Sequence, residues 1–263
     1  KCHSRAARAF ALFFNAWGPA AMVDTHTSNG ADYQYTMTLI ATQHSKLAPA
    51  LGAYLQRQLL PALYKGMEQK KWPMTPYVDF EGPTPESGLR AFLETPRYST
   101  GYAALFNTIG FMPETHMLKP FVQRVESTYQ FMANVISIVQ RDANQIGVNK
   151  QEADEKVKQQ AKFNLQWTLK SEDFSTINFK GFEAKYKPSG VSGLQRLFYD
   201  RNAPFQKDIK LWDNYVPSVT ADKPIAYIIP QAWSRVAELL QLNGVQLKQL
   251  RADTEIDVES YYI

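Results

Sequence analysis

The sequence holds four histidines, His3, His26, His44 and His116, and two of them stand where chemistry could be done. In VDTHTSNGADYQYT, from Val23 to Thr36, the apolar run PAAMV leads straight into Asp24-Thr25-His26. In GFMPETHM, from Gly110 to Met117, a second apolar run ends at Glu114, with His116 two residues further on. A histidine can ligate a metal or carry a proton near neutral pH. A carboxylate beside a metal-bound water is the usual general base of metal-assisted hydrolysis. Open α/β sheets keep their sites at the carboxyl ends of strands, so two parallel neighbours would deliver His26 and Glu114 to one edge. Between them lies PRYSTGY, whose Arg97 guanidinium and Tyr98 and Tyr102 phenols suit a carboxylate or an oxyanion. The plainer readings are a histidine satisfied at the start of a turn and a strand-end glutamate paired with Arg97 or Arg124.

Other chemistries lack their signatures. No histidine is followed by Glu three residues later or by His four later, so no helical two-ligand zinc motif is present. There is no Gly-x-Ser-x-Gly elbow, no Gly-x-Gly-x-x-Gly and no phosphate loop. The single cysteine, Cys2, excludes an internal disulfide framework and a cysteine-built zinc cage. The net charge of +4 is spread out, with no basic block longer than Lys70-Lys71, which argues against nucleic acid as a partner. No stretch approaches the roughly eighteen apolar residues of a membrane span, and no signal-peptide pattern opens the chain. Its start at Lys1, already inside a helical pattern, is expected of a fragment or a processed form.

The elements that must position these residues follow from periodicity and punctuation. Ser4 caps RAARAFALFFNAW, with Ala6, Phe10, Phe13, Phe14 and Trp17 on its apolar side and Gly18-Pro19 at its end. AAMVD forms a short buried strand leading to His26. Residues 47–69 have helical spacing, with a break or kink expected at Pro61. MTPYVDFEG reads as a strand, PTPESG as a loop and residues 88–96 as a short helix. Residues 118–146 form the longest helical pattern, with Phe121, Val125, Tyr129, Met132, Ile136 and Val139 on one stripe and Gly147 as its stop. A charged helix is expected over 150–170. Beyond residue 174 strands take over as far as KPIAYIIP, followed by a helix in AWSRVAELLQL, a turn at Asn243-Gly244 and a closing strand, TEIDVESYYI. The aromatic residues of that region, among them Tyr186, Phe198, Phe205 and Trp212, suit the core of a small domain or an exposed stacking platform. A domain boundary is expected near residue 170. His3, His44 and Cys2 read as structural or exposed.

VDTHTSNGADYQYT, then ETPRYSTGYAALFNTIGFMPETHMLKPF, then QRVESTY resemble, in order and spacing, the second half of a bacterial zinc carboxypeptidase of the carboxypeptidase A type. The resemblance covers roughly residues 5–130. In that family a strand ends in the histidine that is the third zinc ligand, and His26 stands in its place. A later strand carries the general-base glutamate, which Glu114 matches. A tyrosine on a mobile loop covers the substrate, and Tyr98 and Tyr102 both fit. Beside the resemblance, Arg97 reads as a contact to substrate or transition state or as a plain salt-bridge residue, Asp24, two residues before His26, as a carboxylate orienting it, and His116, two residues after Glu114, as sharing its strand face. The family's other two zinc ligands and its Asn-Arg carboxylate clamp lie upstream of the matched region and do not occur in this chain.

The expected fold is therefore α/β: part of a carboxypeptidase-like mixed sheet flanked by helices over residues 1–170, then a small α+β domain over 171–263. The expected function is hydrolysis of a peptide substrate near its C-terminus, incomplete in this chain. Zinc is expected for the full-length parent and is not expected to be held tightly here. A periplasmic or extracellular location follows from the resemblance alone. The alternative is a non-catalytic module that binds peptide or cell wall on a peptidase-like scaffold.

Overall fold

A computed structural model of the chain describes residues 4–260, so Cys2 and His3 lie outside the described residues. The chain divides into two compact units, one of Pro19–Lys223 and one of the two terminal segments, Lys1–Gly18 and Pro224–Ile263.

In the terminal unit, helix α1 (Arg5–Trp17) begins where the Ser4 hydroxyl accepts the Ala7 N–H at 3.1 Å. It ends at Gly18, whose left-handed backbone lets its N–H reach the Phe14 carbonyl at 2.9 Å. Ala11 and Phe14 are its buried residues, whereas Phe13 and Trp17 of the expected apolar side are exposed. The segment from Ala232 forms the expected helix, α7 (Ser234–Leu242), tied to α1 by the Arg8–Glu238 ion pair and by an Asn15 side-chain bond to the Leu242 carbonyl. Residues 224–230 and 254–260 form no strand. Alternation makes a strand only where a partner supplies the ladder, and neither segment has one.

The larger unit is mixed α/β. Its five-stranded sheet runs β1 (Ala21–Val23), β6 (Ile109–His116), β3 (Met37–Ala41), β4 (Met74–Pro76), with β2 (His26–Ser28) also paired to β6. All of β6 is buried, as befits the central strand. β1 and β2 run parallel to it, and β3 antiparallel. β1 is only half-buried, because it lies at the sheet's edge. Pro113 pairs with Leu39, whose carbonyl serves the Tyr77 N–H, so the missing proline N–H faces the β1–β2 side. The edge is interrupted there, between Val23 and His26.

The stretch from α2 (Pro49–Tyr54) to α3 (Leu60–Gln69) is one helical run, joined by a π turn over Leu55–Leu59. Pro61 thus ends up in the first turn of α3 and breaks nothing; the π turn absorbs its missing donor. Leu51, Leu55, Leu59, Leu63 and Met67, spaced by four, fill the core against Met37, Leu39 and Phe111 of the sheet and Phe131 and Val135 of α5 (Phe121–Arg141). The buried face of α5 is Ser127, Phe131, Asn134, Val135 and Ile138, while Phe121, Val125, Tyr129, Met132 and Ile136 are exposed. The break after α5 comes at Asp142, whose carboxylate accepts the Tyr54 hydroxyl at 2.8 Å, and Gly147 lies inside α6 (Ala143–Gln159).

The charged helix stops at Gln159 rather than near 170, because KFNLQWTL forms β7 (Lys162–Leu169) against β10 (Tyr215–Asp222). Residues 88–96 hold no helix but the short strand β5 (Leu89–Arg90), parallel to the end of β9 (Gln195–Trp212). β8 (Ser175–Pro188) and β9 make a long antiparallel hairpin. Tyr33, Tyr35 and Leu89 share a second core with its Phe179, Ile209 and Leu211. The change of texture near residue 170 therefore marks a change of element type inside one unit, and the division of the chain falls at 18/19 and 223/224 instead. No helix among the described residues is long and apolar enough to cross a membrane.

Candidate functional site

His26 opens β2 directly opposite Glu114 of β6. The parallel register sets the two side chains side by side, with His26 Nδ1 3.7 Å from Glu114 Oε1. The other ring nitrogen, Nε2, lies 3.0 Å from Oδ2 of Asp24, so the imidazole sits between two carboxylates. Asp24 is held by its own N–H, which donates to the Phe111 carbonyl at 2.9 Å in the gap between β1 and β2. The His26 side chain is 42% exposed and that of Glu114 only 10%. Burial pushes the Glu114 carboxyl above its ordinary value; the nearby His26 opposes the shift and Asp24 adds to it. A carboxyl raised in this way is a better proton acceptor than one in water.

A cavity of about 340 Å3 opens beside His26, walled by Thr25, Thr27, Thr115 and Arg124. The Arg124 guanidinium lies over the Phe121 ring, 5.6 Å from its centre, and its buried Nε has no hydrogen-bond partner among the described residues. Glu114 is paired with neither Arg97 nor Arg124; its near neighbour is the His26 ring.

His116 follows Glu114 on the same face but is wholly buried. Its Nδ1 accepts the Leu118 N–H at 3.1 Å, which leaves Nε2 to donate to the Ala31 carbonyl at 3.0 Å. Burial holds this ring below the ordinary histidine value, hence neutral. Its ring packs against Tyr33 at 4.9 Å, and the Tyr33 hydroxyl lies 3.3 Å from Ser28 Oγ on β2. Burial pushes the Tyr33 phenol up to about 12.

Arg97 is exposed on the turn before α4 (Ser99–Ala104), with no ion pair among the described residues. Tyr98 is half-exposed, its ring edge-on to Phe92 at 4.9 Å, and Phe92 is edge-on to Tyr77 at 6.0 Å. Tyr77 is raised by burial first, then by the charges of Glu114, Asp79 and Tyr98. Nothing in MTPYVDFEG marks Tyr77 beyond a strand pattern; its place depends on β4 pairing with β3 and β3 with β6. Tyr102 packs on Phe106 at 5.1 Å within the α4 region. His44 lies elsewhere in the unit, in a short helical turn after β3.

A protein zinc site needs three or four ligands. Among the described residues no group of three or more His, Cys, Asp or Glu is placed to hold a metal ion. The donors around His26 therefore do not fit a complete zinc site, and no chemical step here is routed through a metal.

Fold and site together define a mixed α/β protein with an imidazole held between two carboxylates at the edge of its sheet. No known protein family, curated protein or solved structure matches the chain.

Proposed function

We propose that the Asp24–His26–Glu114 edge is the acid–base half of a hydrolytic site of the carboxypeptidase type, acting on a peptide substrate. The observation that carries this reading is the register pairing of His26 with Glu114, which brings the histidine that opens β2 and a raised, nearly buried carboxyl to 3.7 Å. In this reading Glu114 takes a proton from the attacking water and passes it to the leaving amine nitrogen. Asp24 orients His26, the residue that would contribute to a zinc ligand set. Arg97 and a phenol steady the charge on the former carbonyl oxygen. Tyr98 is favoured over Tyr102 as that phenol, because ring contacts run from Tyr98 through Phe92 to Tyr77, a phenol that feels the charge of Glu114.

The test is hydrolysis of an N-blocked dipeptide with a free C-terminus by the native gene product supplied with zinc. Glu114→Gln should cost on the order of a hundred- to ten-thousandfold in rate, the usual worth of a general base. Near-normal turnover in that variant would refute the assignment.

A second reading, a non-catalytic peptide-binding module, is favoured by the His26 ring having a carboxylate at each nitrogen beside an open cavity. It predicts peptide binding that survives Glu114→Gln, with no hydrolysis by either protein.

A further inference from the structure

A second cavity, of about 410 Å3, lies inside the larger unit and shares no lining residue with the cavity beside His26. Its size falls within the range of about 300–1,000 Å3 typical of small-molecule sites. Leu60 and Met74 line it from the helical run and β4, and Leu211 from β9, giving it an apolar body. Its lining also holds polar groups, among them Gln56 and Asn178, with His44 from the turn after β3 and Asp213, its one carboxylate, from the link between β9 and β10.

The segments that carry His44 and Asp213 are tied together. The Gln43 amide donates to the Asp213 carbonyl at 3.1 Å, joining the two segments that carry His44 and Asp213. His44 and Asp213 feel each other's charge, yet they form no ion pair. Burial pulls His44 below the ordinary histidine value and pushes the Asp213 carboxyl up. At neutral pH the imidazole is thus uncharged, and Asp213 meets no Lys or Arg in an ion pair among the described residues. Tyr64, raised chiefly by burial and further by Tyr35 and Asp213, adds a phenol to the cavity lining. A cavity whose lining combines an apolar body with one carboxylate in no ion pair, a neutral imidazole and a phenol is complementary to a ligand that brings its own cation.

We propose that the cavity between the α2–α3 run and the β8–β9 hairpin binds a small amine, its ammonium group on Asp213 and its apolar body against Leu60, Met74 and Leu211. The site is independent of the hydrolytic reading.

Phenethylamine, phenylacetate and 2-phenylethanol share one apolar body and differ in the charge of the head group. Calorimetric titration of the whole chain with each at pH 7.5 tests the proposal. Phenethylamine should bind at least roughly tenfold more tightly than the other two, the worth of one charge-assisted hydrogen bond. Asp213→Asn should weaken the amine by a similar factor and leave the alcohol unchanged. Leu60→Trp, which fills the cavity, should abolish amine binding, and it serves as the deciding variant if Asp213→Asn does not fold by circular dichroism. Equal binding of the three probes, no binding of the amine, or amine binding that survives Leu60→Trp would each overturn the proposal.

Discussion

Asp32 and Arg201, 169 residues apart, meet at 2.6 Å between Oδ2 and Nε. The other carboxylate oxygen of Asp32 accepts from Lys119 at 3.0 Å, and the aspartate is 4% exposed. This pair ties the loop after β2 to the β8–β9 hairpin, beside the second core where Tyr33 and Tyr35 meet Phe179.

Burial alone would raise the Asp32 carboxyl, but the hydrogen bonds and charges of Arg201 and Lys119 outweigh it and hold the group below its ordinary value of 3.8. A carboxyl lowered in the folded state stabilises above its unfolded value, and that contribution is lost as pH falls through the folded one. Asp32→Asn should therefore cost about 3 kcal/mol at pH 7, the low end for breaking a buried pair, since Arg201 is half-exposed. Urea unfolding should show the gap between variant and wild type constant from pH 6 to 8 and shrinking below about pH 4.

Glu114 has the opposite sign. Its carboxyl is raised in the folded protein, so ionising it costs stability as pH rises through the folded value. Glu114→Gln should raise the melting temperature at pH 8 and lose that advantage at pH 4. A melting temperature lowered by the substitution at pH 8 would show that the ionised carboxylate is a structural anchor.

His116→Leu removes the partner of the buried Ala31 carbonyl and of the part-buried Leu118 N–H, at a residue that is itself fully buried. Leaving buried groups unpaired costs about 1–3 kcal/mol each. Thermal unfolding should show a loss of at least about 2 kcal/mol, and any peptide or metal binding at His26 should persist. Loss of that binding in a folded variant would place His116 in the site itself.

Gly101 sits where a methyl group would collide with the Thr95 carbonyl, the group that accepts the Tyr98 N–H at 2.9 Å. Gly101→Ala should cost about 1–3 kcal/mol, as overpacking does, and shift the Tyr98 turn. Perturbed Tyr98 and Phe92 ring resonances would report the shift; unchanged resonances would count against a tightly set turn.

Local chemistry was legible without coordinates. Ser4 and Gly18 bracket α1 because a hydroxyl cap and a left-handed glycine act on their immediate neighbours. The ends of the apolar runs at His26 and Glu114 are visible as composition, and so is the mixed α/β class. Periodicity tells which residues share a face but not which face is covered: α5 buries Phe131 and Val135 and leaves the Phe121–Val125–Tyr129 stripe exposed, because α3 and the sheet lie on the other side. Strand pairing is equally non-local. The 3.7 Å approach of His26 to Glu114, the ring contacts of Phe92 with Tyr77 and Tyr98, and the joining of residues 19–223 into one unit all depend on partners away in sequence. No local propensity encodes those partners; packing selects them only when the whole chain has closed on its cores.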